Sequence, residues 1–498
     1  MLRTTLSIGF ASWFVSCLAA LPARLTAQRV GRPAVEPYTV RTYDGGRHEL
    51  ELWRLDVPES GARPAGRRIT VAFLRLKSTS TSPGSPIVFL MGGPGIPASV
   101  MAPIPPYWDL FERLRQVSDV ILLDQRGVGL STPDLDCPPA SAPQDSFLTS
   151  RAALVGAFRT VYSSCASLWR ARGIDPTAYT DNASADDIDD VRRALGVRRV
   201  SLLAFSYGTR LALDFARRHL NRLDRMVLQG PEDPNLRYRS SLAADSLFGR
   251  YARLASADSA SATFVSDLPG RLVALLSSAD RAPIVVRIRA PSGDSVSLPV
   301  GKSGLQAIIG EHVGDPRLPA LIATLERGDT RILAQYVTAL YAELAGGGGS
   351  LMGRAIECAA LPSPTRIAEV DSASMHSVFG PLLDDAVVTP QFCAAVGLAG
   401  SQRSSGEQLA FAGPALIIQG TLDDRTGGNA AIIARSLPRS VTLLVQNGGH
   451  ELLPVPEVGD VVLKFFEGRS VAGLQLRVVP PRFLSIAAAL QPASRRGS

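Results

Sequence analysis

The chain has 498 residues, of which 46% are hydrophobic and 19% are charged, with 44 glycines and 36 prolines. This composition excludes a disordered tail protein, a collagen-like repeat and a small disulfide scaffold. The net charge of +7 comes mostly from arginines scattered along the chain. Because no nucleic-acid-binding motif accompanies them, we expect no nucleic-acid partner.

The N-terminus has the pattern of a secretory signal peptide. Arg3 precedes an apolar run over residues 6–21, so we predict a signal peptide over residues 1–27, with cleavage after Ala23 as an alternative. A lipoprotein signal at Cys17 is a less favoured alternative, because the apolar run continues past the cysteine. No later stretch approaches the roughly 20 apolar residues of a membrane helix. The sequence therefore predicts an exported protein, periplasmic or extracellular, with no stable membrane span.

Short apolar runs that end in turns predict a mostly parallel α/β sheet. Residues 38–76 have the β-rich pattern of antiparallel strands, interrupted by proline and glycine. After them, apolar runs alternate with helical segments, as in an α/β fold with buried parallel strands. The predicted buried strands cover residues 87–90, 120–123, 199–204, 226–228, 415–419 and 441–445.

A long stretch before the last two predicted strands breaks this alternation. It contains helical patterns over residues 305–311 and 331–344 and one strand-like run over 283–288. We interpret it as a helical cap inserted between core strands. The predicted organisation is an α/β core over residues 28–234 and 410–474, a cap over 235–409, and a C-terminal tail over 475–498.

Besides Cys17, the chain has four cysteines: Cys137, Cys165, Cys358 and Cys393. An even number in an exported chain predicts two disulfides. Three connectivities are possible, and sequence proximity favours Cys137 with Cys165 and Cys358 with Cys393. Metal binding is the alternative, but no Cys-x-x-Cys pair or nearby histidine supports it, so we expect no metal site.

The segment 202–208, LLAFSYG, has the pattern of a nucleophile elbow. A predicted strand meets a helix at Ser206, and small residues, Ala204 and Gly208, stand two positions to either side. Small neighbours are needed there because the sharp turn places the serine hydroxyl at the strand tip. An ordinary helix N-cap serine is the structural alternative.

Two later strand ends supply the residues that would activate this serine. Asp423 follows the strand run at 415–419, and His450 follows the run at 441–445 through two glycines. Serine is a poor nucleophile at neutral pH, so a histidine must accept its proton and a carboxylate must orient that histidine. The order Ser, Asp, His is that of α/β-hydrolases. Asp424 is the alternative acid.

An oxyanion hole needs two backbone amides beside the serine. Tyr207, directly after Ser206, is expected to supply one, and the glycine turn after the strand at 87–90 the other, through Gly93. A plain β-turn is the alternative interpretation of Gly93.

Several motifs together resemble a family, the α/β-hydrolase serine exopeptidases that include prolyl aminopeptidase and the secreted tripeptidyl aminopeptidases. MGGPG at 91–95 is similar to their HGGPG, and DQRGVGLS at 124–131 is similar to their DQRGxGxS. SLLAFSYGT, QGTLDDRT and GGH resemble the segments that carry the nucleophile, acid and base. The resemblance covers about residues 87–228 and 355–466. It implies the α/β-hydrolase fold, with Ser206, Asp423 and His450 as catalytic triad and Gly93 and Tyr207 as oxyanion donors.

This chain departs from the family pattern at informative positions. Met91 replaces a histidine, Ala204 a glycine, and Gln229 the aspartate of a VLDG motif. In the segment IECAALP, alanines stand at 359 and 360, where relatives often carry an acidic residue that binds the substrate's amino group. Glu357, Glu232 and Asp233 are the candidate substitutes, because an ammonium group needs a carboxylate partner.

The sequence therefore predicts an exported serine hydrolase with no cofactor that acts through an acyl-enzyme. The leading substrate is a peptide cleaved from its N-terminus. An esterase or amidase for small acyl compounds is the first alternative, and a catalytically inactive binding protein with this fold is the second. The oligomeric state is left open.

Overall fold

A ten-stranded sheet forms the centre of the molecule. The computed structural model describes residues 32–383, 389–398 and 409–491, so the predicted signal peptide and Cys17 lie outside the described residues. In chain order the strands are β1 (Ala34–Arg41), β2 (Arg47–Pro58), β3 (Arg68–Leu76), β4 (Ile87–Leu90), β5 (Val120–Asp124), β6 (Val200–Phe205), β7 (Leu223–Gln229), β8 (Ile284–Arg289), β9 (Ser295–Val300), β10 (Ala415–Gly420), β11 (Ser440–Gln446) and β12 (Leu476–Arg477).

The sheet has the order β1-β2-β3-β5-β4-β6-β7-β10-β11-β12. β1, β2 and β3 pair antiparallel, β3 pairs antiparallel with β5, and every pair from β5 to β12 is parallel. Strands β4, β5, β6 and β10 are buried along their whole length. Runs that are apolar on both faces form inner parallel strands because helices cover both faces of the sheet. β8 and β9 form a separate antiparallel hairpin.

Helices cover both faces of the sheet. In chain order the α-helices are α1 (Pro105–Leu114), α2 (Arg151–Ala171), α3 (Asp181–Ala194), α4 (Tyr207–Arg218), α5 (Pro234–Arg237), α6 (Ser241–Ala257), α7 (Leu268–Arg281), α8 (Lys302–Glu311), α9 (Leu318–Leu325), α10 (Arg331–Ala345), α11 (Leu351–Ala359), α12 (Pro364–Ser374), α13 (Pro390–Ala395), α14 (Asn429–Ala434), α15 (Pro456–Phe466) and α16 (Ile486–Ala489). Helices α1 and α15 pack in one hydrophobic cluster on one face. Helices α2, α3, α4 and α14 pack in a second cluster on the other face.

The segment between β7 and β10 contains helices α5 to α13 and the β8–β9 hairpin. Its apolar residues, such as Leu305, Leu333 and Leu351, belong to the same hydrophobic cluster as Leu202 in β6. The predicted cap is therefore packed continuously onto one face of the core, although its limits at 235–409 stay a prediction.

The segment assigned to a C-terminal tail adds structure as far as Gln491. β12 pairs with β11 at the edge of the sheet, and the amide of Leu484 donates to the carbonyl of Pro316 in the cap. Within the described residues, no helix has the length and hydropathy needed to span a membrane.

Both favoured disulfide pairings are confirmed, Cys137 with Cys165 and Cys358 with Cys393. The first bond ties the loop after β5 to α2, and the second ties α11 to α13. The amide of Cys137 also donates to the carbonyl of Gly349, just before α11. A disulfide therefore holds the C-terminal end of α11, and a hydrogen bond from a disulfide cysteine holds the chain just before its N-terminal end.

Candidate active site

Ser206 stands at a sharp turn between β6 and α4. Its backbone has φ 53° and ψ −125°, a conformation that residues other than glycine rarely adopt. Close packing explains the small neighbours: a Cβ on Gly208 would lie 2.2 Å from the carbonyl oxygen of Leu90, and one on Gly92 would lie 2.8 Å from the Cβ of Ser206. The turn therefore has the geometry of a nucleophile elbow.

The structure brings Ser206, His450 and Asp423 together at the carboxyl ends of β6, β11 and β10. The Ser206 hydroxyl lies 2.9 Å from Nε2 of His450, and Nδ1 of His450 lies 3.0 Å from Oδ1 of Asp423. The alternative acid does not take this place, because the carboxylate of Asp424 faces Gly314 instead. The arrangement is that of a serine, a proton acceptor and an orienting carboxylate.

Hydrogen bonds hold the carboxylate of Asp423 ionised. The amides of Arg425 and Thr426 each donate to Oδ1 at 2.8 Å, and the Thr426 hydroxyl donates to Oδ2 at 2.7 Å. Burial alone would raise the pKa of Asp423, but hydrogen bonds from His450 and Thr426 outweigh it and lower the pKa to about 2. A permanently charged acid can orient His450 and stabilise its protonated form.

The predicted oxyanion donors lie beside the nucleophile. The turn over residues 91–95 packs on Ser206 through Gly92, and Gly93 has φ 114°, which glycine adopts readily. Among the hydrogen bonds of the described residues, none has the amide of Gly93 or Tyr207 as donor. Tyr207 also opens α4, so its amide points out of the positive end of the helix.

Gly230, directly after β7, leaves room for the histidine ring. A Cβ on Gly230 would lie 3.0 Å from Cε1 and 3.2 Å from Nδ1 of His450. The residue also has φ 61°. Sequence analysis did not select Gly230, although a glycine directly after a buried strand was the available signal.

Glu232 and Glu357, the candidate amine-binding residues, meet at the guanidinium of Arg210, one helical turn after Ser206. Nη1 of Arg210 lies 3.4 Å from Glu232 and 3.7 Å from Glu357, and Nη2 lies 3.2 Å from Asp181. All four side chains are buried. Burial raises the pKa of Asp181, which Arg210 partly opposes. We refer to these four residues as the Arg210 cluster.

Two contacts join the Arg210 cluster to the nucleophile. The amide of Glu232 donates to the Thr209 hydroxyl, which in turn donates to the carbonyl of Ser206, at 2.8 and 2.6 Å. The guanidinium of Arg210 also lies 4.9 Å from the ring centre of Tyr207. Asp181 escaped the sequence analysis because its partner is 29 positions away and only the packing of α3 on α4 joins them.

The cap reaches the acid through Glu311 at the end of α8. Oε2 of Glu311 accepts hydrogen bonds from Arg425 and Arg239, both at 2.9 Å, and Arg239 also donates to the carbonyl of Asp424. The amide of the same Arg425 bonds to Asp423. These residues therefore connect a cap helix with the turn that carries the acid.

Other conspicuous charged residues have structural partners. Arg126 forms two hydrogen bonds of 2.6 and 2.7 Å with the buried Asp187, and Asp124 accepts hydrogen bonds from Ser99 and the amide of Leu130. Ala359 lines a separate cavity of about 720 Å³ between the β2–β3 turn and α3, which no triad residue lines. In the described part of the chain, no three His, Cys, Asp or Glu side chains form a metal-binding group.

Comparisons with known proteins agree with this architecture. Residues 85–300 match the family model described as alpha/beta hydrolase fold. The chain is 28% identical over 191 residues to the serine protease Hip1 of Mycobacterium tuberculosis, and this alignment covers 36% of each chain. It is 27% identical over 221 residues to the tripeptidyl aminopeptidase of Streptomyces coelicolor, covering 41% of this chain and 39% of that one. The alignments thus span little more than a third of these relatives.

Among solved structures, an esterase from Thermogutta terrifontis aligns with 83% of this chain and 98% of its own chain, at 16% identity and a TM-score of 0.35. The match to the family model and the sheet topology show that the chain has the α/β-hydrolase fold. The predicted fold is confirmed, and so is the resemblance to a group that includes a serine protease and a tripeptidyl aminopeptidase.

Proposed function

We propose that this protein is a serine hydrolase that removes residues or short peptides from the free amino end of a peptide. The observation that carries the proposal is the chain of hydrogen bonds from Ser206 through His450 to Asp423. Such a chain needs no bound cofactor to activate the serine hydroxyl.

In the proposed reaction, the Ser206 oxygen attacks the carbonyl carbon of the scissile bond while Nε2 of His450 takes the hydroxyl proton. The carbonyl oxygen becomes an oxyanion that accepts hydrogen bonds from the amides of Gly93 and Tyr207. His450 then gives its proton to the leaving nitrogen, and the carbon–nitrogen bond breaks to leave an acyl-enzyme. Water deprotonated by His450 attacks this ester, and collapse of the second intermediate returns the proton to Ser206.

The Arg210 cluster supports the proposal that the substrate has a free amino group. Glu232 and Glu357 are buried next to the helix that begins at the nucleophile. Charge-assisted hydrogen bonds from an ammonium to such carboxylates are stronger than neutral ones and would fix one end of the peptide. Glu357 and Ala359 both lie on α11, but they are two positions apart and their side chains leave different faces of the helix, so Glu357 would bind the amine from the side of Arg210.

The alternative substrate class is a small ester or amide with no amino group. The specific observation in its favour is that Ala359 and Ala360 are apolar and buried at the positions where relatives often carry an acid. The absence of an acid at these two positions would favour an uncharged substrate, because burying an ammonium without a partner is costly.

The test uses a tripeptidyl amide with a free amino group, the same tripeptide N-acetylated, and a p-nitrophenyl ester. We expect rapid cleavage of the free-amine peptide, a large loss on acetylation, and no turnover by Ser206→Ala. Glu357→Gln should raise KM for the free-amine peptide about tenfold and leave the ester unaffected. Glu369→Gln, which alters an exposed carboxylate of the cap, is the matched control. Ester cleavage without peptide cleavage would support the alternative, and turnover by Ser206→Ala would contradict the mechanism.

Export is part of the same proposal. Two disulfides fit an oxidising compartment, where such bonds form and persist. The predicted signal peptide over residues 1–27 would direct the chain out of the cytoplasm. Cell fractionation with N-terminal sequencing of the mature protein tests both, and a cytoplasmic protein that retains residues 1–27 would contradict them.

A further inference from the structure

Gln229, the last residue of β7, contacts the backbone of both the nucleophile and the base. Its side chain is wholly buried. Its carbonyl oxygen accepts a hydrogen bond from the amide of Ser206 at 2.9 Å. Its Nε2 donates to the carbonyl of His450 at 2.6 Å, and its Oε1 accepts from the amide of Leu452 at 3.3 Å. One residue therefore links the segment that carries Ser206 to the segment that carries His450.

Different contacts hold the ring and the backbone of His450 in place. Asp423 holds the ring through Nδ1, which fixes its tilt. The backbone that follows the His450 side chain is held by Gln229, and Glu451 between the two bonded residues accepts a hydrogen bond from Tyr107 at 2.8 Å. Since a ring can keep its tilt while its backbone moves, the orienting acid alone does not fix the separation of Nε2 from the serine hydroxyl.

The side-chain amide is chemically necessary for this pattern of bonds. It must donate at one end, to the carbonyl of His450, and accept at the other, from the amide of Leu452. An ionised carboxylate only accepts, so it would face the His450 carbonyl with like partial charge. The aspartate of the resembling VLDG motif could not make this donation when ionised. The glutamine here is thus a departure with a physical consequence.

We propose that Gln229 is a positioning residue that keeps His450 within proton-transfer distance of Ser206. This inference rests on the proposed function, since it assumes that Ser206 and His450 perform the chemistry. The side chain of Gln229 is wholly buried, so the role proposed for it is an indirect one. Its loss lowers the rate of Ser206 activation rather than the affinity for substrate, because a displacement of the base weakens only the reacting geometry.

The experiment measures the rate at which a fluorophosphonate labels Ser206 and the kcat for a p-nitrophenyl ester per labelled site. Gln229→Glu keeps the size and removes the donor when ionised, and Gln229→Met removes both polar ends. Gln306→Glu is the matched control, because Gln306 also donates from Nε2 to a backbone carbonyl, that of Val378 in the cap, at 2.8 Å. Counting labelled sites removes any contribution from a misfolded fraction.

At a pH where the carboxyl introduced by Gln229→Glu is ionised, we expect both Gln229 variants to be labelled at least about tenfold more slowly and to have a kcat about tenfold lower, with KM within about twofold of wild type. The Gln306→Glu control should match wild type. In Gln229→Glu the ratio of kcat to the wild-type value should rise as the pH falls, because a protonated carboxyl regains the donor. Burial raises the pKa of such a carboxyl, which brings this change into an accessible range. A merely structural role for Gln229 would give no such pH dependence.

Labelling rates and kcat per site within about twofold of wild type in both Gln229 variants, or an equal loss in Gln306→Glu, would overturn the inference. Ser206→Ala separates the two proposals. If Ser206→Ala is inactive while the Gln229 variants are normal, the positioning role fails alone. If Ser206→Ala retains turnover, the proposed function fails and this inference fails with it.

Discussion

Replacing Gly230 by alanine tests the geometry of the candidate triad without substituting any triad residue. The new Cβ would lie 3.0 Å from Cε1 of His450, 3.2 Å from Nδ1 of the same ring and 3.3 Å from the Thr426 hydroxyl. Ordinary carbon contacts are about 3.5 Å or longer. The ring must therefore move by about half an ångström, because Thr426 limits movement of the new methyl group to the other side.

The expected loss of kcat follows from the increase in the distance between His450 and Ser206. The Nε2 atom of His450 is 2.9 Å from the Ser206 hydroxyl. A shift of about half an ångström carries this pair to the limit of a hydrogen bond, and we expect kcat to fall about 10- to 100-fold. The φ of 61° at Gly230 also strains an alanine, and should cost about 1 kcal/mol in the free energy of unfolding.

The assay compares Gly230→Ala with Gly196→Ala. Gly196 has φ 69°, but a Cβ there would meet no atom within 4 Å. Both variants should lose a similar free energy of unfolding in urea, and only Gly230→Ala should lose kcat per fluorophosphonate-labelled site. A Gly230→Ala enzyme with wild-type kcat, or a Gly196→Ala enzyme with the same loss of kcat, would refute the reasoning.

Two further substitutions test the surroundings of the acid. Asp423→Asn should lower kcat about 10⁴-fold by favouring the wrong histidine tautomer, as steady-state kinetics would measure. The folded pKa of about 2 lies below the ordinary value of 3.8 for an aspartate, so wild type should lose about 2 kcal/mol of stability as the pH falls from about 4 through about 2. Asp423→Asn should lack that loss, and identical acid unfolding curves would contradict the assignment. Glu311→Gln, which weakens the bonds to Arg239 and Arg425, should lower the free energy of unfolding by about 2 kcal/mol in urea; equal stability would show that the cap attachment does not depend on the Glu311 charge.

The meeting of the three candidate triad residues could be predicted because it depends on local patterns at strand ends. Ser206, Asp423 and His450 each follow an apolar run within a few residues, and parallel strands bring such ends to one edge of the sheet. The two disulfide pairings were also favoured from short sequence separations. Most predicted strands agree with the structure to within a few residues, because runs that are apolar on both faces have few alternatives.

The rest of the site depends on packing between elements that are distant in sequence. Asp181 meets Arg210 only because α3 lies against α4, and no pattern within either helix indicates that contact. The sequence showed Gln229 only as a departure from a motif. Its proposed role could be inferred only once the position of the His450 backbone, 221 residues later, was known. The two-residue strand β12 was missed because so short a pairing has no periodicity.

The two disulfides have a consequence for when the candidate site is assembled. Helix α11 lies against the glycine turn, since a Cβ on Gly353 would be 2.5 Å from the carbonyl of Pro94, and the helix carries Glu357. A newly made chain in a reducing cytoplasm lacks the bonds that hold this helix in place. On the proposed function, formation of the wall that carries Glu357 is coupled to oxidation of Cys358 and Cys393, so the chain would gain its substrate-binding surface only after it reaches an oxidising compartment.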